Sequence, residues 1–122
     1  MPTQPGPSNY KLVLSGAAQN DISQILQWMQ EAFGDMGRIR YEKLISTALI
    51  DLCADPARPG ARLRDDIGQN VCAYHLASSR KRKTTSKQVA KPRHLLLFRV
   101  KQDVMEVARL LHDAMDFAQH KV

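Results

Sequence analysis

Three histidines stand on or beside stretches that are predicted to form neighbouring strands. They are His75, His94 and His112. An imidazole titrates near neutral pH, so His112 could move a proton in a reaction. It could equally be structural, capping the turn that follows it or bonding a backbone carbonyl. The histidines lack the close spacing of a metal-ligand pair, and the sequence therefore predicts neither a metal site nor any other cofactor.

Arginines are the second group of residues that could do chemistry. A guanidinium binds a phosphate or a carboxylate through two parallel hydrogen bonds. If the arginines on and near the predicted central strands meet on one sheet face, they form an anion-binding surface of Arg62, Arg64, Arg93, Arg99 and Arg109. In the alternative, Arg99 and Arg109 form structural ion pairs with Asp65, Asp66, Asp103 or Glu106.

The chain as a whole is basic. It has 18 Lys and Arg residues against 12 Asp and Glu, which gives a net charge of +6. The excess is concentrated in a polar connection over residues 78–92, which contains Arg80 and Arg82. We expect this insertion to be mobile. It could contact nucleic acid or an acidic protein surface, or it could be a solvated elaboration without a partner.

Other patterns exclude several classes of function. The glycines form no phosphate-binding loop, and no serine elbow is present. The longest apolar stretches are too short to span a bilayer, and the first apolar run does not resemble a signal peptide. Cys53 and Cys72 form no CxxC unit, so we expect reduced, buried thiols in a cytoplasmic protein without a membrane partner.

The elements that position these residues can be predicted from apolar spacing. Residues 1–9, rich in proline, are expected to be a disordered leader to one domain over residues 10–120. Residues 10–14 predict a strand, and Ser15 is the expected N-cap of a helix over residues 17–33. Trp28, on the side of this helix, is either a contact with a partner or peripheral packing.

A second helix is predicted over residues 38–53, after Gly34, and the Asp55-Pro56 pair ends it. Two amphipathic helices this close in sequence form an antiparallel hairpin. Strands are predicted over residues 71–76, 94–100 and 104–111, residues 62–66 could be extended, and a short helix follows over residues 113–119. This order predicts an α+β fold, with the hairpin packed on a small, mostly antiparallel four-stranded sheet whose middle is formed by the final two strands.

Three stretches of the chain together resemble the ParE/RelE superfamily of toxins from type II toxin–antitoxin systems. Residues 10–21 (YKLVLSGAAQND) resemble its opening strand and Ser-capped helix with an early acidic residue. Residues 94–100 (HLLLFRV) resemble its central strand. Residues 106–116 (EVARLLHDAMD) resemble its last strand, which ends in an apolar pair, a histidine and an acidic residue. The likeness covers about residues 10–120.

The resemblance implies one of two activities. Ribonucleases of the RelE branch cut messenger RNA on the ribosome with Lys and Arg on their middle strands and a C-terminal Tyr or His. In this chain those roles would fall to His112, Arg93 and His75. The corresponding strand, however, carries residues 72–74 (CAY) where lysines would be expected. This difference favours the ParE branch, whose members inhibit DNA gyrase without cutting RNA.

The resemblance therefore implies a ParE-like plasmid stabilisation toxin that acts by binding. The resemblance implies a cognate antitoxin, ParD-like or RelB-like, whose acidic tail folds over the helix pair and sheet. It implies DNA gyrase as the target or, in the alternative, the ribosome and messenger RNA. A third reading is a non-catalytic nucleic-acid-binding module that uses the basic insertion. The binding residues would be Arg62, Arg64, Arg80, Arg82, Arg93, Arg99, Arg109 and Trp28.

Overall fold

The structure, a computed structural model, describes residues 9–80 and 91–115. The predictions for the leader, for residues 81–90 of the basic insertion and for residues 116–119 of the last helix fall outside the described residues. The elements in chain order are β1 (Lys11–Leu14), α1 (Gly16–Ala54), β2 (Ala61–Leu63), β3 (Cys72–His75), a 3₁₀ helix (Leu76–Ser79), β4 (His94–Lys101) and β5 (Val104–His112).

The sheet confirms the predicted fold class but has five strands, in the order β1-β5-β4-β3-β2. β1 pairs with β5 in parallel, and the other three pairings are antiparallel. The final two strands do lie in the middle, with β4 at the centre. The predicted count of four strands is wrong because β2 has only three residues, too few to show an alternating pattern. It forms because it can pair with β3, from Ala61 opposite Tyr74 to Leu63 opposite Cys72.

α1 contains both predicted helices, joined at Gly34 without a loop. Gly34 has φ 75° and ψ −170°, a region that glycine alone occupies readily. The Arg38 Nε donates to Gln30 Oε1 over 2.7 Å. In a straight helix these residues would be about 12 Å apart along the axis, so the chain doubles back here. We call residues 16–33 the first arm of the hairpin and residues 35–54 the second arm.

The expected start of the second helix at residue 38 is wrong, because one glycine reverses the chain and residues 35–37 are already helical. Gly37 allows the backbone to pass close to the Phe33 side chain, because a Cβ at this position would lie 2.4 Å from the Phe33 Cβ. The second arm ends at Ala54, directly before Asp55-Pro56 as predicted. Its last turn returns to β1, where the Tyr10 N–H donates to the Cys53 carbonyl over 2.8 Å.

The start of α1 is fixed to the sheet by Ser15, the predicted N-cap. Its Oγ accepts from the Ala18 N–H over 2.9 Å and donates to the Ala108 carbonyl over 2.8 Å. Ala108 is the extra residue of a β-bulge, since Leu97 pairs with Arg109 while Phe98 pairs with Val107. A bulge changes which residues of a strand face the core. Met105 and Val107 reach the helix side before the bulge, and Leu110 reaches it afterwards.

The continuous apolar run in β4 is explained by cover on both faces of the sheet. Leu96 and Phe98 pack toward α1 in the main core. Leu97 lies on the opposite face in a second cluster with Ile67, Val71 and Leu111, under the loop that joins β2 to β3. Cys53 and Cys72 are both free thiols that pack against the main core. In the described part of the chain, no helix is long and apolar enough to cross a membrane.

Candidate functional site

A groove of about 940 Å³ runs between the two arms of α1 and the ends of β4 and β5. One wall of the groove is apolar. It includes Trp28, Phe33 and Met36, each of which is more than half exposed to solvent. The Trp28 and Phe33 rings meet edge to face, with 5.7 Å between their centroids. The lining residues are Asp21, Gln24, Ile25, Trp28, Met29, Phe33, Met36, Gly37, Arg40, Tyr41, Lys91, Arg93, His94, Arg109, Leu110, Leu111, His112 and Met115.

The three residues predicted for nuclease chemistry meet around the carboxylate of Asp113, at one end of this groove. The His75 Nε2 lies 2.9 Å from Asp113 Oδ2, and the Arg93 Nε lies 3.3 Å from Oδ1. The His112 Nδ1 is 3.6 Å from the same Oδ1. The pKa of the Asp113 carboxyl is lowered, first because His75 donates to it and then because Arg93 does.

Backbone contacts set the tautomers of two of these histidines. The His75 Nδ1 accepts the Ala77 N–H over 3.0 Å, so Nε2 carries the proton that is donated to Asp113. The His112 Nδ1 accepts the Ala114 N–H over 3.1 Å. This is the turn-capping contact that the structural interpretation of His112 requires. The predicted helix does not begin here, because residues 113–115 form a turn and a bend.

His94 belongs to a separate chain of hydrogen bonds behind His112. The Arg93 backbone N–H donates to the Tyr41 hydroxyl over 3.1 Å, and that hydroxyl lies 2.7 Å from the His94 Nδ1. Since the hydroxyl already accepts from Arg93, its own proton is free to go to His94. Burial lowers the pKa of His94 to about 4, helped by the nearby His112, so the ring is neutral at pH 7. Burial also raises the pKa of Tyr41. The hydrogen-bonded Tyr41 and His94 side chains are therefore both uncharged at pH 7.

Arg109 is held by an acidic residue of the first arm, Asp21. Its Nε and Nη2 donate to the two Asp21 oxygens over 2.7 and 2.9 Å, and the Leu110 N–H also donates to Asp21 over 3.0 Å. The pKa of Arg109 is raised by this bond. The alternative of a structural ion pair holds for Arg109, but its partner is Asp21 and not an acidic residue of the sheet region. The helix start brings in an acid that is 88 residues distant in sequence.

The arginines predicted to form one anion-binding surface are dispersed. Only Arg93 and Arg109 line the groove. The Arg99 Nε donates to the Gln69 carbonyl over 2.9 Å, beside the loop on the opposite face of the sheet. Arg64 forms two hydrogen bonds with Asp66. Three further positions complete the set: Arg62 is exposed on the edge strand β2, Arg80 is exposed after the 3₁₀ helix, and Arg82 falls outside the described residues.

Several residues in and beside the groove were missed by sequence reasoning. Arg40 and Tyr41 come from the middle of the second arm, and Asp113 follows β5. The signal for Asp113 was present, since an acidic residue after the histidine is part of the resemblance. Arg40 had no such signal, because a basic residue in an amphipathic helix is normally solvated. Among the described residues, no group of three or more metal-ligating side chains has the geometry to hold a metal ion.

Comparisons with known proteins show the family of the chain. The sequence profile of the family described as "ParE toxin of type II toxin-antitoxin system, parDE" matches residues 12–117. The chain belongs to this toxin family. The match includes the first arm, the polar residues around Asp113 and all five strands of the ParE toxin domain. The predicted membership is confirmed.

Solved structures agree with this assignment at the level of the fold. A chain of the "Chromosomal ParDE TA system from P. aeruginosa" superposes with a TM-score of 0.62 at 13% identity. The superposition covers 87% of this ParE toxin and 98% of that chain. At this identity the likeness establishes a shared fold, and site residues do not transfer. No curated protein matches the sequence.

Proposed function

We propose that this ParE toxin is a cytoplasmic inhibitor of DNA gyrase that acts by binding, and that a cognate antitoxin neutralises it through the groove. The observation that carries the neutralisation is the apolar wall of the groove. Trp28, Phe33 and Met36 leave more than half of their surface in water. Contiguous exposed apolar side chains rimmed by polar residues are typical of a surface that binds another protein.

The chemistry of the groove favours an acidic, amphipathic partner segment. The toxin carries a net charge of +6, and Arg40, Lys91 and Arg93 stand along the groove. An apolar stripe on such a segment would cover the aromatic side chains, while its carboxylates would face the basic ones. A segment that is disordered when free and folds on binding suits a groove of this length. The related structure is itself named as a ParDE system, which supports an antitoxin partner here.

The polar end of the groove supports action by binding. An incoming phosphate would meet the Asp113 carboxylate, which already holds His75 and Arg93. His94 stays neutral, and the His112 Nδ1 is used by a backbone N–H. The arrangement satisfies its own hydrogen bonds, and the Asp113 carboxylate offsets the charge of Arg93 where a pentavalent phosphate would have to be stabilised.

Gyrase inhibition is tested with purified gyrase and a relaxed plasmid. We expect the wild-type toxin to block supercoiling and to accumulate cleaved DNA, while ribosome-bound messages stay intact. Addition of the product of a neighbouring antitoxin-like reading frame should restore supercoiling. A toxin that prevents growth but leaves supercoiling unchanged would contradict the proposal.

The ribonuclease alternative is kept because His75, Arg93 and His112 do meet in space. If the protein were a messenger-RNA endonuclease, translated messages would be cut on ribosomes, and His112→Ala would abolish the cutting. Under the gyrase proposal, His112→Ala leaves all messages uncut and preserves inhibition of supercoiling. A chain that merely binds nucleic acid would be harmless when expressed alone, and its affinity would fall steeply with salt.

A further inference from the structure

Arg40 differs from the other arginines of the groove in having no acceptor of its own. Arg109 is neutralised by Asp21, and Arg93 shares Asp113 with His75. Within residues 9–80 and 91–115, Arg40 forms no ion pair, and its Nε is shut off from solvent with no hydrogen-bond partner. A desolvated donor without an acceptor is costly, so its presence inside a binding groove calls for an acceptor from elsewhere.

Two other arginines of the described chain have an acceptor: the Arg58 Nε is also buried without a partner, but its Nη1 lies 3.0 Å from Asp51 Oδ2. Arg38, two positions earlier, has its Nε on Gln30 and its Nη1 on Glu42 over 3.2 Å. Acidic side chains are therefore close enough in the hairpin to serve an arginine, yet none of those described reaches Arg40. Tyr41, the next residue, is committed to His94. Arg40 lines the groove together with the apolar side chains of its wall.

We infer that Arg40 is the anchor for one carboxylate of the antitoxin tail, an acidic residue set within the tail's apolar stripe. The inference rests on the proposed function and deepens it. A guanidinium and a carboxylate can form two parallel hydrogen bonds, which fix register as well as adding affinity. The apolar wall around Trp28 accepts the tail's apolar residues, and Arg40 determines which tail position lies opposite it. An uncharged apolar peptide would leave the Arg40 guanidinium without an acceptor.

The test measures binding of the product of the adjacent antitoxin-like reading frame to the toxin by titration calorimetry. Arg40→Met is expected to weaken binding by about tenfold to thirtyfold, since it removes a partly buried, charged hydrogen-bond donor. Arg62→Met is the matched control, because it removes the same charge from the exposed edge strand β2, outside the groove. It should change affinity by less than about threefold.

A double-mutant cycle identifies the carboxylate. Each acidic residue of the tail is replaced by its amide, and one such change should weaken wild-type binding yet have little effect on Arg40→Met. Arg40→Lys, which keeps the charge, provides the same cycle if Arg40→Met unfolds. Equal losses of affinity for Arg40→Met and Arg62→Met would overturn the role of Arg40 as the anchor, and so would the absence of a coupled tail residue. Either result would leave the antitoxin proposal intact. Absence of any binding by the wild-type toxin would overturn both.

Discussion

Acidification from pH 7 to pH 5 is expected to destabilise the toxin through His94. The pKa of this ring is about 4 in the folded protein, where burial opposes its charge, and about 6.5 in an unfolded chain. Between these values the unfolded state binds a proton that the folded state does not. The free energy of unfolding is therefore undiminished above about pH 6.5, falls as the pH drops, and levels off below about pH 4.

The size of the effect follows from the two pKa values. Linkage arithmetic for a fully enclosed ring gives about 2 kcal/mol lost at about pH 5. His94 is only partly buried, and water screens its charge, so we expect about 1 to 1.5 kcal/mol. The groups that face the ring are His112, Asp113, His75 and Arg93. The pKa of Asp113 is lowered, so the stability that it contributes is lost only below the pH range of this experiment.

Urea unfolding at about pH 7 and about pH 5 measures this loss. His94→Phe keeps an aromatic ring against Tyr41 and removes the titrating group, at a cost of about 1 kcal/mol for the lost hydrogen bond at neutral pH. Its stability should then change much less between the two pH values than that of the wild type. His112→Gln should retain most of the wild-type dependence. If His94→Phe loses as much stability on acidification as the wild type, the assignment to His94 is wrong.

Three further substitutions test the supports of the groove by thermal or urea unfolding. Asp21→Asn is expected to cost about 2 to 3 kcal/mol, because it removes the charge that Arg109 requires in a partly buried pair; a loss below half of this would refute that role. Ser15→Ala should cost about 1 to 2 kcal/mol through the lost N-cap and the bond to β5. Gly34→Ala should cost about 1 to 3 kcal/mol because of its positive φ, whereas Gly16→Ala, where a Cβ meets nothing within 4 Å, should be neutral. Equal effects of the two glycine substitutions would contradict the strain argument.

Most of the fold could be predicted from the sequence because its determinants are local. Residues close together in sequence were enough to predict several elements. Examples are the apolar stripe of the first arm, the Ser15 cap and the apolar run of β4. β2 was anticipated only as a stretch that could be extended, because a strand of three residues depends on its pairing with β3. The direct joint at Gly34 was missed for a similar reason: a glycine indicates that a helix ends, but not that another begins in the next residue.

The candidate site was less predictable, since its contacts span long distances in sequence. The meeting of His75 and Arg93 at Asp113 depends on β3, β4 and the end of β5 lying side by side. The partner of Arg109 was not among the four acidic residues considered, because the acid comes from α1 and not from the sheet region. Arg40 was overlooked because sequence spacing does not indicate whether an arginine in a helix has an acceptor.

The bulge at Ala108 makes the number of residues in β5 as important as their types. A regular strand of the same residues, with Ala108 paired in the ladder, would turn Leu110 away from the helices. Loss of Ala108 together with the bulge would keep the phase of the later residues, but pairing of Ala108 would exchange the inner and outer surfaces of the second half of the strand. His112 would leave the groove, although every side chain around Asp113 would still be encoded. Variants of this domain that differ in length at this point should thus be compared by the face of the sheet that each residue of β5 occupies, and not by residue identity alone.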